Sequence, residues 1–308
     1  MLLLLAPAFA LDLDSYRLAG APWEAEGSLG LTGAEVGTPG SWSLGLAGIV
    51  ANEVAPGEVE SLDTLRLAFG AVILPNLRLE LEVPAHPGVL AESGWASGVG
   101  DPELRARVAL AEPEIGERAV HIAIEPVIAF PNGDEALGVG AGGLSGGITL
   151  PAGMRISPKL RVDAQVAVMA APPGAVGELE MGSWFGYGGG VTWDGPAKLH
   201  ISGELTGRID LQGVVEAEDA PLDLGAGVSW AGEAGFGVAL GGSVGLLEGP
   251  GAPAQRLVLA VGWLEKPAGH AAHHHAEVAA TCGREGELAA HDLDAPEPHE
   301  SEPVAEDE

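Results

Sequence analysis

Between residues 41 and 266 apolar and polar side chains alternate with period two, segment after segment. In 159–170, Leu160, Val162, Ala164, Val166 and Val168 share one phase, and Lys159, Arg161, Asp163 and Gln165 share the other. In 76–84, Leu77, Leu79, Leu81 and Val83 alternate with Asn76, Arg78, Glu80 and Glu82. Side chains two residues apart point to the same side of a strand, so each segment reads as a β-strand with one greasy and one charged face. Twelve such segments are expected, at about 41–52, 62–73, 76–84, 103–111, 119–130, 144–156, 159–170, 178–193, 197–211, 222–230, 233–246 and 255–264. Most are longer than the usual soluble strand of about five or six residues and suit a tilted strand crossing a bilayer, which takes roughly 9–11.

The connections alternate as well. Short turns fall at 75–76, 113–117, 157–158, 194–196 and 231–232, and longer loops at 53–61, 85–102, 131–143, 171–177, 212–221 and 247–254. Short turns on one side and long loops on the other are the pattern of a bacterial outer-membrane barrel. The parity gives an even, twelve-stranded antiparallel transmembrane β-barrel, or fourteen strands if 11–18 and 24–33 also pair.

Composition narrows the function. The chain has 308 residues and a net charge of −30, yet 46% of it is hydrophobic and the mean hydropathy is +0.22. Nucleic acid is excluded as a partner, because phosphate binding needs a basic surface. The 48 Gly and 23 Pro argue against a helical fold. A single cysteine, Cys282, leaves no intrachain disulfide.

Assigning each polar phase to a lumen collects ten bases and ten acids there. The core of this expected charge network is Arg66, Arg78, Glu80, Glu82, Glu103, Arg105, Arg107, Glu125, Arg155, Lys159, Arg161, Asp163, Glu204, Arg208 and Asp210. Glu178, Glu180, Lys198, Asp223 and Arg256 complete it. A narrow tube holding balanced charges is expected to pair them, which argues against a wide pore. One stretch runs the other way: 233–246 turns Gly235, Gly237, Ala239, Gly241, Ser243 and Gly245 inward, and Gly225 and Gly227 lie on its neighbour. Trp42, Trp193, Trp230 and Trp263 sit at strand ends, where interfacial belts form.

The remaining segments read as follows. Residues 1–10, MLLLLAPAFA, resemble the end of a signal peptide with an Ala8-Phe9-Ala10 cleavage site. Residues 11–40 are expected as a periplasmic lead-in to a barrel over 41–266. Residues 267–308 hold eleven acids and one base and read as a disordered acidic tail. Within that tail His270, His273, His274 and His275 offer imidazoles to a metal ion, without a geometry to fix it. Divalent cations could also gather at the acidic loops.

Two motifs look catalytic and are not read so. Gly138 to Gly143 matches GxGxxG, but Gly146, Gly147 and Pro151 follow where a dinucleotide site needs a helix. Gly143-Leu144-Ser145-Gly146-Gly147 matches GxSxG without a strand-turn-helix setting. An outer-membrane lipase would place a Ser–His pair on the lipid face, whereas His121 and His200 fall on the polar phase. The expectation is a non-enzyme with no cofactor.

A further pattern concerns ancestry. Gly98-Val99-Gly100-Asp101 is followed by Leu104-Arg105-Ala106-Arg107, and Pro131-Asn132-Gly133-Asp134 leaves the next strand. This resembles Gram-negative outer-membrane barrels of two kinds: the amino-terminal barrels of some OmpA-family proteins, and proteins like the phenol-degradation MetA-pathway protein. The resemblance implies an outer-membrane location, assembly by the barrel-assembly machinery and contact with outer-membrane lipid. OmpA-family proteins carry a peptidoglycan-gripping domain after the barrel; the 42 residues after Lys266 are too few and too acidic for one. The function expected is a structural or narrow-pore, porin-like role. The alternative is a secreted soluble β-sandwich that binds a ligand or carbohydrate.

Overall fold

A computed structural model describes residues 31–55, 59–91, 94–115, 118–133, 139–176, 179–211, 220–247 and 253–266. The signal-like 1–10, most of the lead-in and the tail with His270, His273, His274 and His275 lie outside the described residues. The strands in chain order are β1 (Trp42–Ala55), β2 (Val59–Leu74), β3 (Leu77–Ala91), β4 (Gly94–Val99), β5 (Glu103–Ala111), β6 (Glu114–Ile115), β7 (Arg118–Ala129) and β8 (Ser145–Ser157). They continue as β9 (Leu160–Ala170), β10 (Gly174–Val176), β11 (Leu179–Met181), β12 (Trp184–Asp194), β13 (Leu199–Asp210), β14 (Leu222–Ala231), β15 (Phe236–Leu247) and β16 (Gln255–Glu265).

Twelve of these form one antiparallel barrel. Each pairs with its neighbours in the order β1-β2-β3-β5-β7-β8-β9-β12-β13-β14-β15-β16. β1 closes the ring on β16, from Trp42 opposite Glu265 to Asn52 opposite Gln255. Closure removes every sheet edge, which a bilayer demands because it offers no water to unpaired backbone groups.

The faces decide between barrel and sandwich. Leu44, Leu46, Leu67, Leu81, Ile148, Val168, Leu205, Leu240 and Leu257 are exposed on the outer face. Arg78, Glu80, Glu82, Glu103, Arg105 and Arg107, on the opposite phase, are buried. A soluble sandwich requires the reverse, with apolar rows packed between sheets. Here the greasy phase faces out all around the ring, so its environment is lipid. Trp42, Trp193, Trp230 and Trp263 are outward and gather at the short-turn end, as an interfacial belt does.

Two expected boundaries are corrected. The stretch 85–102 is not a loop: β3 runs on to Ala91 and pairs with β4 through Ala85–Val99 and Ala91–Gly94. The register shifts between His86 and Val89, and this irregularity absorbs Pro87, which has no N–H to give. β4 and β5 are one strand bent at Gly100-Asp101-Pro102, since β5 pairs the inner half of β3 from Leu77–Val108 to Glu82–Glu103. The expected strand 178–193 is also two pieces. β11 pairs with β10 as a small outer hairpin, and the barrel strand starts at Trp184. Between them Ser183 Oγ contacts the backbone N and O of Ala171, which ties the junction down. Glu180 therefore belongs to that hairpin and not to the lumen wall, and Glu178 lies outside the described residues.

Candidate functional site: a charged barrel interior

Register brings the charges together. Arg78 lies opposite Arg107, Glu80 opposite Arg105 and Glu82 opposite Glu103, so three rungs of β3 and β5 carry six ions. Arg105 holds Glu103 at 2.7 Å, Glu82 at 3.5 Å and Glu80 at 4.0 Å. Arg66 pairs with Glu82 from the other side, and Arg78 lies 3.5 Å from Glu80 while donating to Ser43 Oγ at 2.8 Å. Gly70 makes this possible, because a Cβ there would collide with the Arg78 guanidinium. Arg107 pairs with Glu125 at 2.8 Å and Arg161 with Asp163 at 2.6 Å. All of these side chains are buried, with Glu82 at 1% and Arg105 at 3% exposure. In a low-dielectric space such charges persist only as a satisfied network.

On β13 to β16 the spacing is looser. Arg208 is 3.6 Å from Asp210, and Arg256 is 3.4 Å from Asp223 and 3.3 Å from Ser243 Oγ. Glu204 is buried above Gly225, whose absent Cβ leaves it room. Beyond, Ala47, Ile49, Ala239, Val258 and Ala260 form a buried apolar cluster on β1, β15 and β16. The interior thus has an ionic wall and a small-residue wall.

Arg155 and Lys159 are exposed at the short-turn rim and do not join the interior network. Arg155 instead binds Asp194 at 2.6 Å, and His200 Nδ1 meets the second Asp194 oxygen at 2.7 Å. Asp194 follows the belt residue Trp193 and sits outside the lipid band. Burial raises its pKa, but the hydrogen bonds from Arg155 and His200 outweigh that and hold the carboxyl below the usual aspartate range. A depressed folded pKa contributes stability that is full above the ordinary value and is lost as pH falls through the depressed one. Acidification from pH about 4 downward is therefore expected to loosen the 194–199 turn, read as faster amide exchange at Leu199 and His200; Asp194→Asn should abolish this pH response.

Residues 31–40, part of the expected lead-in, run inside the wall. Leu31 lies against Gly188 and Gly190 of β12, where a Cβ would come within 2.6–2.7 Å of it. The Thr32 N–H donates to Gln165 Oε1 at 2.8 Å, and Arg107 donates to the Glu35 carbonyl at 3.3 Å. His121 stands 3.4 Å from Glu112 and 4.0 Å from Glu35. At the other end of the segment the Gly40 N–H donates to the Val72 carbonyl. The chain thus crosses the ionic wall from β12 to β2 before entering β1. Sequence reasoning missed this contact; the signal available was the small-residue run Gly186, Gly188, Gly190 on a lumen phase, which leaves space for another segment.

The motif residues meet at the outer mouth. Both Asp101 oxygens accept backbone hydrogen bonds at 2.6 Å, one from Gly133 and one from Ala141. Gly133 and Gly140 touch backbone to backbone, so a Cβ on either would clash. Asp101 thereby ties both limbs of the 131–143 connection to the β4–β5 bend. Gly100 packs under Pro84 and His86, and Gly98 pairs with His86 within β4; Pro131 is exposed and Asp134 lies outside the described residues. Hydrogen bonds to a charged group are worth about 1.5–3 kcal/mol each. Asp101→Ala is expected to free the connection: external protease should cut between 131 and 143 at least about tenfold faster than in wild type.

Neither catalytic-looking motif acquires its context. Val139 to Gly143 is irregular and leads into β8, and Ser145 opens β8 as a strand residue rather than an elbow before a helix.

No family model matches the chain, and no curated protein does. Solved structures do match in shape. An outer membrane channel from Pseudomonas putida F1 is 13% identical with a TM-score of 0.58, covering 75% of this chain and 98% of that one. The NanC porin is 8% identical with a TM-score of 0.50, covering 73% of this chain and 99% of that one. The fold is that of an outer-membrane barrel. Identities this low carry the fold and nothing finer. They agree with the lipid-facing girdle and the closed ring, which together put this chain in the outer membrane.

Proposed function

We propose that the chain is a narrow, porin-like channel of the outer membrane rather than a wide pore or an enzyme. The observation that supports this most directly is the interior itself. Paired ions cover the β2 to β9 wall, and 31–40 lies across them, so little bore remains on that side. Residues 1–10 act in this reading as an export leader, and 267–308 as an acidic tail on the short-turn side. Insertion by barrel-assembly machinery, and divalent cations at the acidic loops, belong to the same proposal. The finer kinship with the OmpA-type and MetA-pathway barrels is supported by the Asp101 tie, which gives G-x-G-D and the glycine of P-x-G-D a shared structural task. The test is conductance of the full chain in planar bilayers after verified insertion. Small steady steps are expected; large open-pore steps would refute narrowness, and silence would leave a structural role.

A further inference from the structure

The small-residue wall poses the question the ionic wall does not. From the short-turn rim upward, its rungs place His200 opposite Ser229, then Ser202 opposite Gly227 and Gly227 opposite Gly241. Next come Glu204 opposite Gly225, Gly225 opposite Ser243 and Ser243 opposite Arg256, and then Asp223 opposite Gly245. Every rung therefore carries a hydroxyl, an imidazole or a carboxylate beside at least one small residue. A cavity of about 390 Å³ opens at the rim below them, lined by Lys198, His200, Glu233, Leu264 and Lys266 among others.

Two atoms on this wall have unmet hydrogen-bonding capacity. Ser229 Oγ and Asp223 Oδ1 are buried without a hydrogen-bond partner among the described residues, and Ser229 is 4% exposed. Buried polar atoms are normally satisfied, so orphans call for a water or a solute. Ser229 stands directly behind His200 at the inner end of the cavity.

The sign of charge is also set. On β13 to β16 the inward carboxylates are Glu204, Asp210 and Asp223 against the guanidiniums Arg208 and Arg256, a surplus of one negative charge. At the opposite end, every outer connection carries Asp or Glu and none carries Lys or Arg, whereas all three lysines, Lys159, Lys198 and Lys266, lie at the short-turn rim. A mouth lined by one sign of charge concentrates counter-ions, and acidic rings select cations.

We infer that the conducting route runs along the β13 to β16 wall, from the acidic outer mouth past Glu204 and Asp223 to the rim cavity, and that it carries small cations. This rests on the narrow-channel reading above. The test uses the full chain in planar bilayers under a KCl gradient, with heat-modifiable gel migration confirming each folded variant. Wild type should give a cation-sign reversal potential with permeability favouring K⁺ by about threefold or more. Glu204→Gln, nearly isosteric, should move that ratio toward unity. Gly227→Leu, which adds bulk to the route, should at least halve the conductance. Gly203→Leu should leave it unchanged, because Gly203 is exposed on the outer face with open space at its Cβ. An anion-sign potential, or a ratio untouched by Glu204→Gln, overturns the inference; so does full conductance in folded Gly227→Leu. If Gly227→Leu does not fold, the Glu204→Gln ratio decides alone. Inserted wild type that never conducts overturns the channel reading itself, a separate and recognisable result.

Discussion

Replacing Arg105 by alanine should lower the stability of the folded barrel by about 3–5 kcal/mol, the usual loss when a buried ion pair is stripped of one partner. Arg105 faces Glu80, Glu82 and Glu103 within 4.0 Å, and each is buried. Arg66 still reaches Glu82 and Arg78 still reaches Glu80 in the variant, so the stranded charge falls mainly on Glu103, whose 2.7 Å contact is gone. The measurement is urea unfolding in detergent micelles, followed by the heat-modifiable gel band. Arg105→Ala combined with Glu103→Ala should recover part of the loss, because the uncompensated carboxylate goes as well. The result bears on function directly. A penalty under about 1 kcal/mol would mean that water screens these groups as it does surface pairs, and hence that the bore is wide on this side.

The strands were legible because a barrel wall is one residue thick. Each side chain sees either lipid or lumen, so period two survives along the whole strand, and Glu103–Ala111 falls where its alternation begins and ends. The charges of the lumen phase were legible for the same reason. Their partners were not. Whether Arg105 meets Glu82 or Glu125 depends on the register between β3, β5 and β7, which no single segment encodes. Local chemistry misled at 85–102, where Pro84, Pro87 and Gly88 read as a loop although cross-strand pairing with β4 carries the strand past them. Arg155 and Lys159 carry the lumen phase of their strands, yet they lie so near a turn that rim solvent takes them, and phase says nothing about height. The segment 31–40 has no periodicity at all. Its place is set by Leu31 meeting Gly188 and Gly190 and by Arg107 reaching the Glu35 carbonyl, contacts between residues more than 70 positions apart.

The girdle that places the chain in a membrane makes the second large prediction. Leu259 is 57% exposed on β16, four residues from the belt residue Trp263. At about 3.3 Å per residue and a tilt of about 40°, that places it roughly 10 Å inside the lipid band, near its midplane. Arginine there should cost about 2–4 kcal/mol, whereas on the surface of a soluble protein the same exchange stays within about 0.5 kcal/mol. Leu259→Arg is therefore expected to fold poorly into lipid vesicles, with the heat-modifiable band reduced at urea concentrations wild type survives. The comparison that isolates lipid is Gln255→Arg, on the same face of the same strand but at its outer end, where the penalty should fall to about 0–1 kcal/mol. Equal, negligible losses at both positions would mean that this face meets water. The girdle would then be an exposed apolar surface awaiting a protein partner, and the barrel would lose its membrane.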